Sequence, residues 1–331
     1  MQRINFGPYW LSNNELPKDG IIPVDAAGLG CTLIHMSVFT QYMKDVEDWF
    51  VFAKEECVIE NGVTSIGSRA FSGYIGLTSI TIPESVTSIG DYAFQDCSSL
   101  ATINVPEGVT SIGSSAFSSC NGLEPKLLIY DNGTKCYGWM GDREKCTEVT
   151  IPSGVTSIND GAFSYCDNLT RIDIPSGVTS IGKYAFQECN SLTSVDLPAG
   201  VITIGNFAFS RCGSLTNINI PESVTSIGAS TFYGCSSLEP KLLVYDKGTK
   251  CYGWVGNKEK CTNVVIPDGV TSIGYAAFRG CGSLTSIKIP EGVTSIGNSA
   301  FRSCDNLTNV NIPEGVTSIG EDVFSGCYSL E

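Results

Sequence analysis

From residue 54 to the end of the chain, apolar side chains return in one fixed order, Leu-x-x-Ile-x-Ile-Pro-x-Gly-Val-Thr-Ser-Ile-Gly-x-x-Ala-Phe-x-x-Cys. The prolines that follow Ile-x-Ile stand at Pro83, Pro106, Pro152, Pro175, Pro198, Pro221, Pro267, Pro290 and Pro313, separated by 23 or 46 residues. A constant period of this length marks a repeat architecture. Within one unit, Leu-x-x-Ile-x-Ile alternates apolar and polar positions and stops at a residue that cannot extend a ladder, which predicts a short strand. Val-x-x-Ile before Gly predicts a second, shorter strand, and the intervening Pro-x-Gly supplies a fixed φ followed by a permissive one. The x-x-Ala-Phe-x-x-Cys segment predicts one or two helical turns. No single unit can bury Leu77, Ile80, Ile82, Val86, Ile89 and Phe94 alone, whereas rungs stacked about 4.8 Å apart make each position a continuous ladder. The expected fold is a right-handed repeat solenoid with two parallel β-sheets and short helical turns along one edge.

Each 46-residue gap hides a unit of different wording, "LEPKLLIYDNGTKCYGWMGDREKCTEVTIP" and "LEPKLLVYDKGTKCYGWVGNKEKCTNVVIP", near residues 124–146 and 239–261. Aligning Gly-Thr-Lys-Cys-Tyr-Gly with Gly-Val-Thr-Ser-Ile-Gly puts Cys136 at the Ser position, Tyr137 at the Ile position and Cys146 at the Leu position, with Trp139 and Trp254 replacing the Ala-Phe plug. The array then holds about 12 units over residues 54–331, preceded by a non-repeat segment, residues 1–53. Residues 37–56 carry apolar side chains at helical spacing, so that segment is expected to be a partly helical N-terminal cap, with Trp49, Phe50 and Phe52 over the first rung.

The string Ile-Gly-x-x-Ala-Phe-x-x-Cys-x-x-Leu-Thr-x-Ile-x-Ile-Pro-x-Gly-Val-Thr-Ser-Ile-Gly resembles the BspA-type leucine-rich repeat of bacterial surface proteins. That resemblance implies a leucine-rich-repeat superhelix. It further implies a non-enzymatic role in binding or adhesion, toward host extracellular matrix or other cells, at the cell surface or in secreted form.

Composition narrows the partners. With 34 acidic and 20 basic side chains the net charge is −14, which repels phosphate backbones and anionic lipid. Nucleic acid is excluded as a partner. Membrane insertion is not expected either, because no run of 18 apolar residues occurs. The first twenty residues lack the basic start and apolar core of a signal peptide, which keeps a cytoplasmic scaffold as the alternative location and role. The last rung ends at Cys-Tyr-Ser-Leu-Glu with no polar cap, which leaves end-to-end self-association as a further expectation.

The 15 cysteines are mostly the repeat position three after Phe, where a small buried side chain is wanted. Cys136/Cys146 and Cys251/Cys261 recur as pairs at ten-residue spacing, so a disulfide in each divergent unit stays open beside the simpler reading of free thiols. His35 is the single histidine, and Cys31 lies four residues before it. That pair lacks further partners for catalysis or metal binding, and the glycines fall at turn positions rather than in a phosphate loop. No catalytic residue, metal site or cofactor is expected.

A binding surface remains. The positions two and four before each proline should face outward, giving Thr102 and Asn104, Glu148 and Thr150, Arg171 and Asp173, Ser194 and Asp196, Asn217 and Asn219. Polar side chains in two parallel rows suit a protein or glycan partner, although such residues are also ordinary solvated strand formers. Tyr137, Trp139, Tyr252 and Trp254 break the repeat and are a second candidate set, as aromatic anchors or as plugs of the divergent units.

Overall fold

The structure, a computed structural model, describes residues 55–59 and 61–331, with the backbone of four earlier strands, 3–6, 9–12, 21–24 and 32–35. The chain forms two compact units, residues 1–145 and 146–331. Residues 37–54 and Cys31, and with them most of the expected cap, lie outside the described residues. His35 ends the strand Thr32–His35, which pairs antiparallel with Ile21–Val24, so it stands on a strand rather than on a helix.

In the first unit, Glu55–Val58, Leu77–Thr81 and Thr102–Asn104 form one parallel sheet, and Ser65–Ile66, Ser88–Ile89 and Ser111–Ile112 form another. The sequence alternation sets the register, since Ile80 faces Ile103 and Ile66 faces Ile89, each pair one period apart. Leu77, Ile82, Val86, Phe94, Cys97 and Leu100 are buried in one core. The second unit repeats the pattern. Glu148–Thr150 pairs with Arg171–Asp173, Ser194–Asp196 with Asn217–Asn219, and Asn263–Val265 with Ser286–Lys288, all parallel and in register.

The third side of each coil is built of turns rather than the expected helix. Each corner places its Phe between two left-handed residues: Tyr92 and Asp96 around Phe94, Tyr184 and Glu188 around Phe186, Phe207 and Arg211 around Phe209. Left-handed residues interrupt a helix and free alternate N–H groups to reach the next rung. Phe71 N–H donates to the Ala93 carbonyl and Phe186 N–H to that of Ala208, both at 2.7 Å. The rings consequently stack along the core, with centroids 5.1 Å apart for Phe71 and Phe94 and 5.4 Å for Phe163 and Phe186. The glycine of Ser-Ile-Gly answers a different need. A Cβ on Gly205 would lie 2.5 Å from Lys183 N and 2.6 Å from Gly182 C, so the rungs stack too closely there for any side chain.

The divergent units are antiparallel hairpins, Lys126–Tyr130 with Lys135–Met140 and Lys241–Tyr245 with Lys250–Val255. Their turns hold Asp131-Asn132-Gly133 and Asp246-Lys247-Gly248 in left-handed conformations, and Lys135 and Lys250 pair with Asp131 and Asp246, each at 3.0 Å. This corrects the sequence alignment by one residue. Cys251 lies beside Ile273 and Lys250 beside Ser272, so the cysteine enters the isoleucine ladder. Alternation demands it, because Cys251 is buried while its neighbours are half exposed.

Candidate binding face

The strands Glu148–Thr150, Arg171–Asp173, Ser194–Asp196 and Asn217–Asn219 each hold three residues in the order exposed, buried, exposed, and in Thr102–Asn104 the middle residue is half-buried. Val149, Ile172, Val195 and Ile218 point into the core, and the residues on either side of each point out. The ladder puts Glu148 beside Arg171 and Thr150 beside Asp173. It puts Ser194 beside Asn217 and Asp196 beside Asn219. Thr102 and Asn104 lie beside Ser79 and Thr81 in the first unit.

Main-chain groups of this face are spent on the ladder, and neighbouring threonines reinforce it. The Thr170 hydroxyl donates to the Thr147 carbonyl and that of Thr216 to the Thr193 carbonyl, both at 3.0 Å. What a partner meets is therefore side chains on a rigid support rather than an open sheet edge.

Electrostatically the face is mixed. Arg171 donates from Nε and Nη2 to Asp173 Oδ1, at 3.0 and 2.9 Å, and Thr150 Oγ1 lies 3.4 Å from Asp173 Oδ2. The hydrogen bond it donates to Asp173, with the charges of Asp173 and Glu148, raises the Arg171 guanidinium above its ordinary value and keeps it charged. All four side chains are exposed, so salt screens their pairing.

The aromatic residues of the hairpins are half-buried and already engaged. Tyr137 OH donates to the Thr110 carbonyl at 3.0 Å, and Trp139 Nε1 to the Asp142 carbonyl at 3.0 Å. The Tyr252 oxygen accepts from Phe232 N–H at 3.3 Å, and its ring meets that of Phe232 edge-on at 5.6 Å. Trp254 N–H donates to the Ala277 carbonyl at 2.8 Å, the bond that Phe makes in an ordinary corner, and its Nε1 donates to the Asn257 carbonyl. These groups anchor the hairpins to the rungs around them.

No described cysteine is in a disulfide, Cys136, Cys146, Cys251 and Cys261 included. Burial pushes the thiols of Cys136 and Cys251 up to about 12. Thiols so placed stay protonated and are poor nucleophiles and metal ligands. Among the described residues no group of three or more His, Cys, Asp and Glu side chains is arranged to hold a metal ion, and no helix is long and apolar enough to cross a membrane.

The family described as the BspA type leucine rich repeat region matches residues 52–135, 141–244 and 255–331, in 6 copies. Among solved structures, a leucine-rich repeat protein from Bacteroides ovatus is similar at 28% identity, covering 81% of this chain and 81% of its own, with a TM-score of 0.46. A leucine-rich repeat protein from T. pallidum is 32% identical over 62% of this chain and 88% of its own, with a TM-score of 0.41. The pneumococcal vaccine antigen PcpA is 18% identical over 81% of this chain and 68% of its own; its TM-score of 0.51 marks a likeness of fold. No curated protein matches the chain.

Proposed function

The chain belongs to the BspA-type leucine-rich repeat family, and from that premise we propose that it is a non-enzymatic binding scaffold that engages protein or glycan partners through its exposed strand face. The observation that carries this reading is the paired rows of side chains on a support whose own hydrogen bonds are satisfied, with Glu148, Arg171, Thr150 and Asp173 grouped in one ladder. Weak contacts repeated along such a face add through multivalency. Family resemblance supports a cell-surface or secreted location and a role in adhesion to matrix proteins or other cells.

The test is binding of the purified chain to an array of extracellular-matrix proteins and glycans, at low and raised salt, beside a Glu148→Ala/Arg171→Ala variant. Saturable binding that the variant loses supports the reading. Silence across the array, or binding indifferent to the substitutions, overturns it.

One observation favours a second reading, an intracellular interaction scaffold. None of the described cysteines is in a disulfide, as a reducing compartment would keep them. Protease treatment of intact source cells separates the two, since digestion of the protein supports the surface and protection supports the interior.

A further inference from the structure

Away from the strand face, the corners between residues 161 and 234 carry aromatic side chains that the core does not use. Tyr165, Tyr184 and Tyr233 are 54%, 39% and 59% exposed. Tyr184 stacks on the half-buried Phe207, with ring centroids 5.2 Å and planes 9° apart. The corner residues that fill the core are instead Phe163, Phe186, Phe209 and Phe232.

These aromatics also sit where aromatics are disfavoured. Tyr165, Tyr184 and Phe207 have φ of 61°, 57° and 57°, a region that bulky side chains avoid and glycine enters freely. Other corners place Gly73, Gly234, Gly280 and Gly326 at the Tyr165 position, and Ser115, Ser230 and Ser299 at the Tyr184 position. Large rings held at strained, exposed places point to contact with something outside the fold.

The first unit contains the same position with its contact made. Tyr92 stands where Tyr184 stands, two residues before the corner Phe, and the Arg69 guanidinium, one rung earlier, lies 5.2 Å from the centre of the Tyr92 ring. In the second unit the residue at the place of Arg69 is Gly161, so that rung supplies no guanidinium to Tyr184. The same corners carry Asp160, Asp167 and Glu188 against Lys183 and Arg211, and Arg211 is paired with Glu188 at 2.7 Å. The chain as a whole carries −14. An exposed ring face on a chain of this charge suits a planar cation, and guanidinium stacks on Tyr better than the more hydrated ammonium does.

We propose that Tyr184, with Phe207 stacked on it, is a seat for an arginine side chain of a basic partner protein. The seat is independent of the strand face and survives if that face proves inert.

Hexa-arginine and hexa-lysine peptides, titrated into the full chain, test it. The arginine peptide should bind about two- to fivefold more tightly, up to the full worth of a cation–π contact at an exposed site, because guanidinium stacks on the ring where the hydrated ammonium does not. Tyr184→Ser/Phe207→Ser uses the residue that other corners carry, so melting should be unchanged while the preference disappears, leaving equal and salt-sensitive binding of both peptides. Gly161→Arg, which copies Arg69 at a similar φ, should fill the seat from within and abolish the preference too. Equal affinities in the unaltered chain, a preference that survives Tyr184→Ser/Phe207→Ser, or ring-dependent binding of a neutral oligosaccharide in place of the peptide would overturn the proposal.

Discussion

The Cys97 thiol donates to the main-chain carbonyl of Phe71, one rung earlier, at 3.0 Å in the buried core. The bond recurs from Cys120 to Phe94, Cys189 to Phe163, Cys212 to Phe186, Cys235 to Phe209 and Cys304 to Phe278, at 2.9 to 3.2 Å. The cysteine of the repeat is thus a small apolar filler that also gives the Phe carbonyl a donor. Cys212→Ala removes both contributions and should lower the free energy of unfolding by about 1–2 kcal/mol in urea. A loss below about 0.3 kcal/mol would mean that neither matters.

Close stacking makes the glycine of Ser-Ile-Gly intolerant. Gly205→Ala would drive a Cβ into the Lys183 and Gly182 backbone, at 2.5 and 2.6 Å, and should cost about 3 kcal/mol or more. Gly213→Ala would place its Cβ 3.6 Å from Asn190 Oδ1 and should change stability by no more than about 0.5 kcal/mol. Similar melting of the two variants would refute the rung contact.

Strand register gives a second contrast between neighbours. Ile218→Asp puts a carboxylate into the core and should unfold the rungs around it, whereas Asn219→Thr changes an exposed β position and should leave melting nearly unchanged. Thermal melts followed by circular dichroism decide, and equal effects would sink the register.

Alkaline pH should weaken the fold. Burial raises the thiols of Cys136 and Cys251 from 9.0 to about 12, and Tyr252 from 10.0 to about 12. Above pH 9 the unfolded chain releases these protons while the folded chain retains them, so stability is full below pH 9 and falls as pH rises toward 12. The melting temperature should accordingly drop steadily from about pH 9 upward, and Cys251→Val should shallow that slope. A flat profile across the window would show that these thiols are not held protonated by the fold.

The 23-residue period, the two strands of each unit and the inward row of Leu, Ile, Val and Phe were all present in the sequence, because each rung packs mainly on its neighbours and a local pattern is enough to set it. The outward placement of Glu148, Arg171, Asn217 and Asn219 likewise follows from two-residue alternation. The hairpins were partly legible. Asp131-Asn132-Gly133 between strand-like segments signals a tight turn, but the 23-residue frame favoured a parallel reading and shifted Cys251 by one position. Tertiary structure alone decided three things. It made the corners turns rather than helix, because their N–H groups are claimed by the next rung. It turned the cysteines from filler into donors, because the Phe carbonyl one rung back lies within reach. It also exposed Tyr184 without the arginine that covers Tyr92, a difference that exists only once residues 23 apart become neighbours in space.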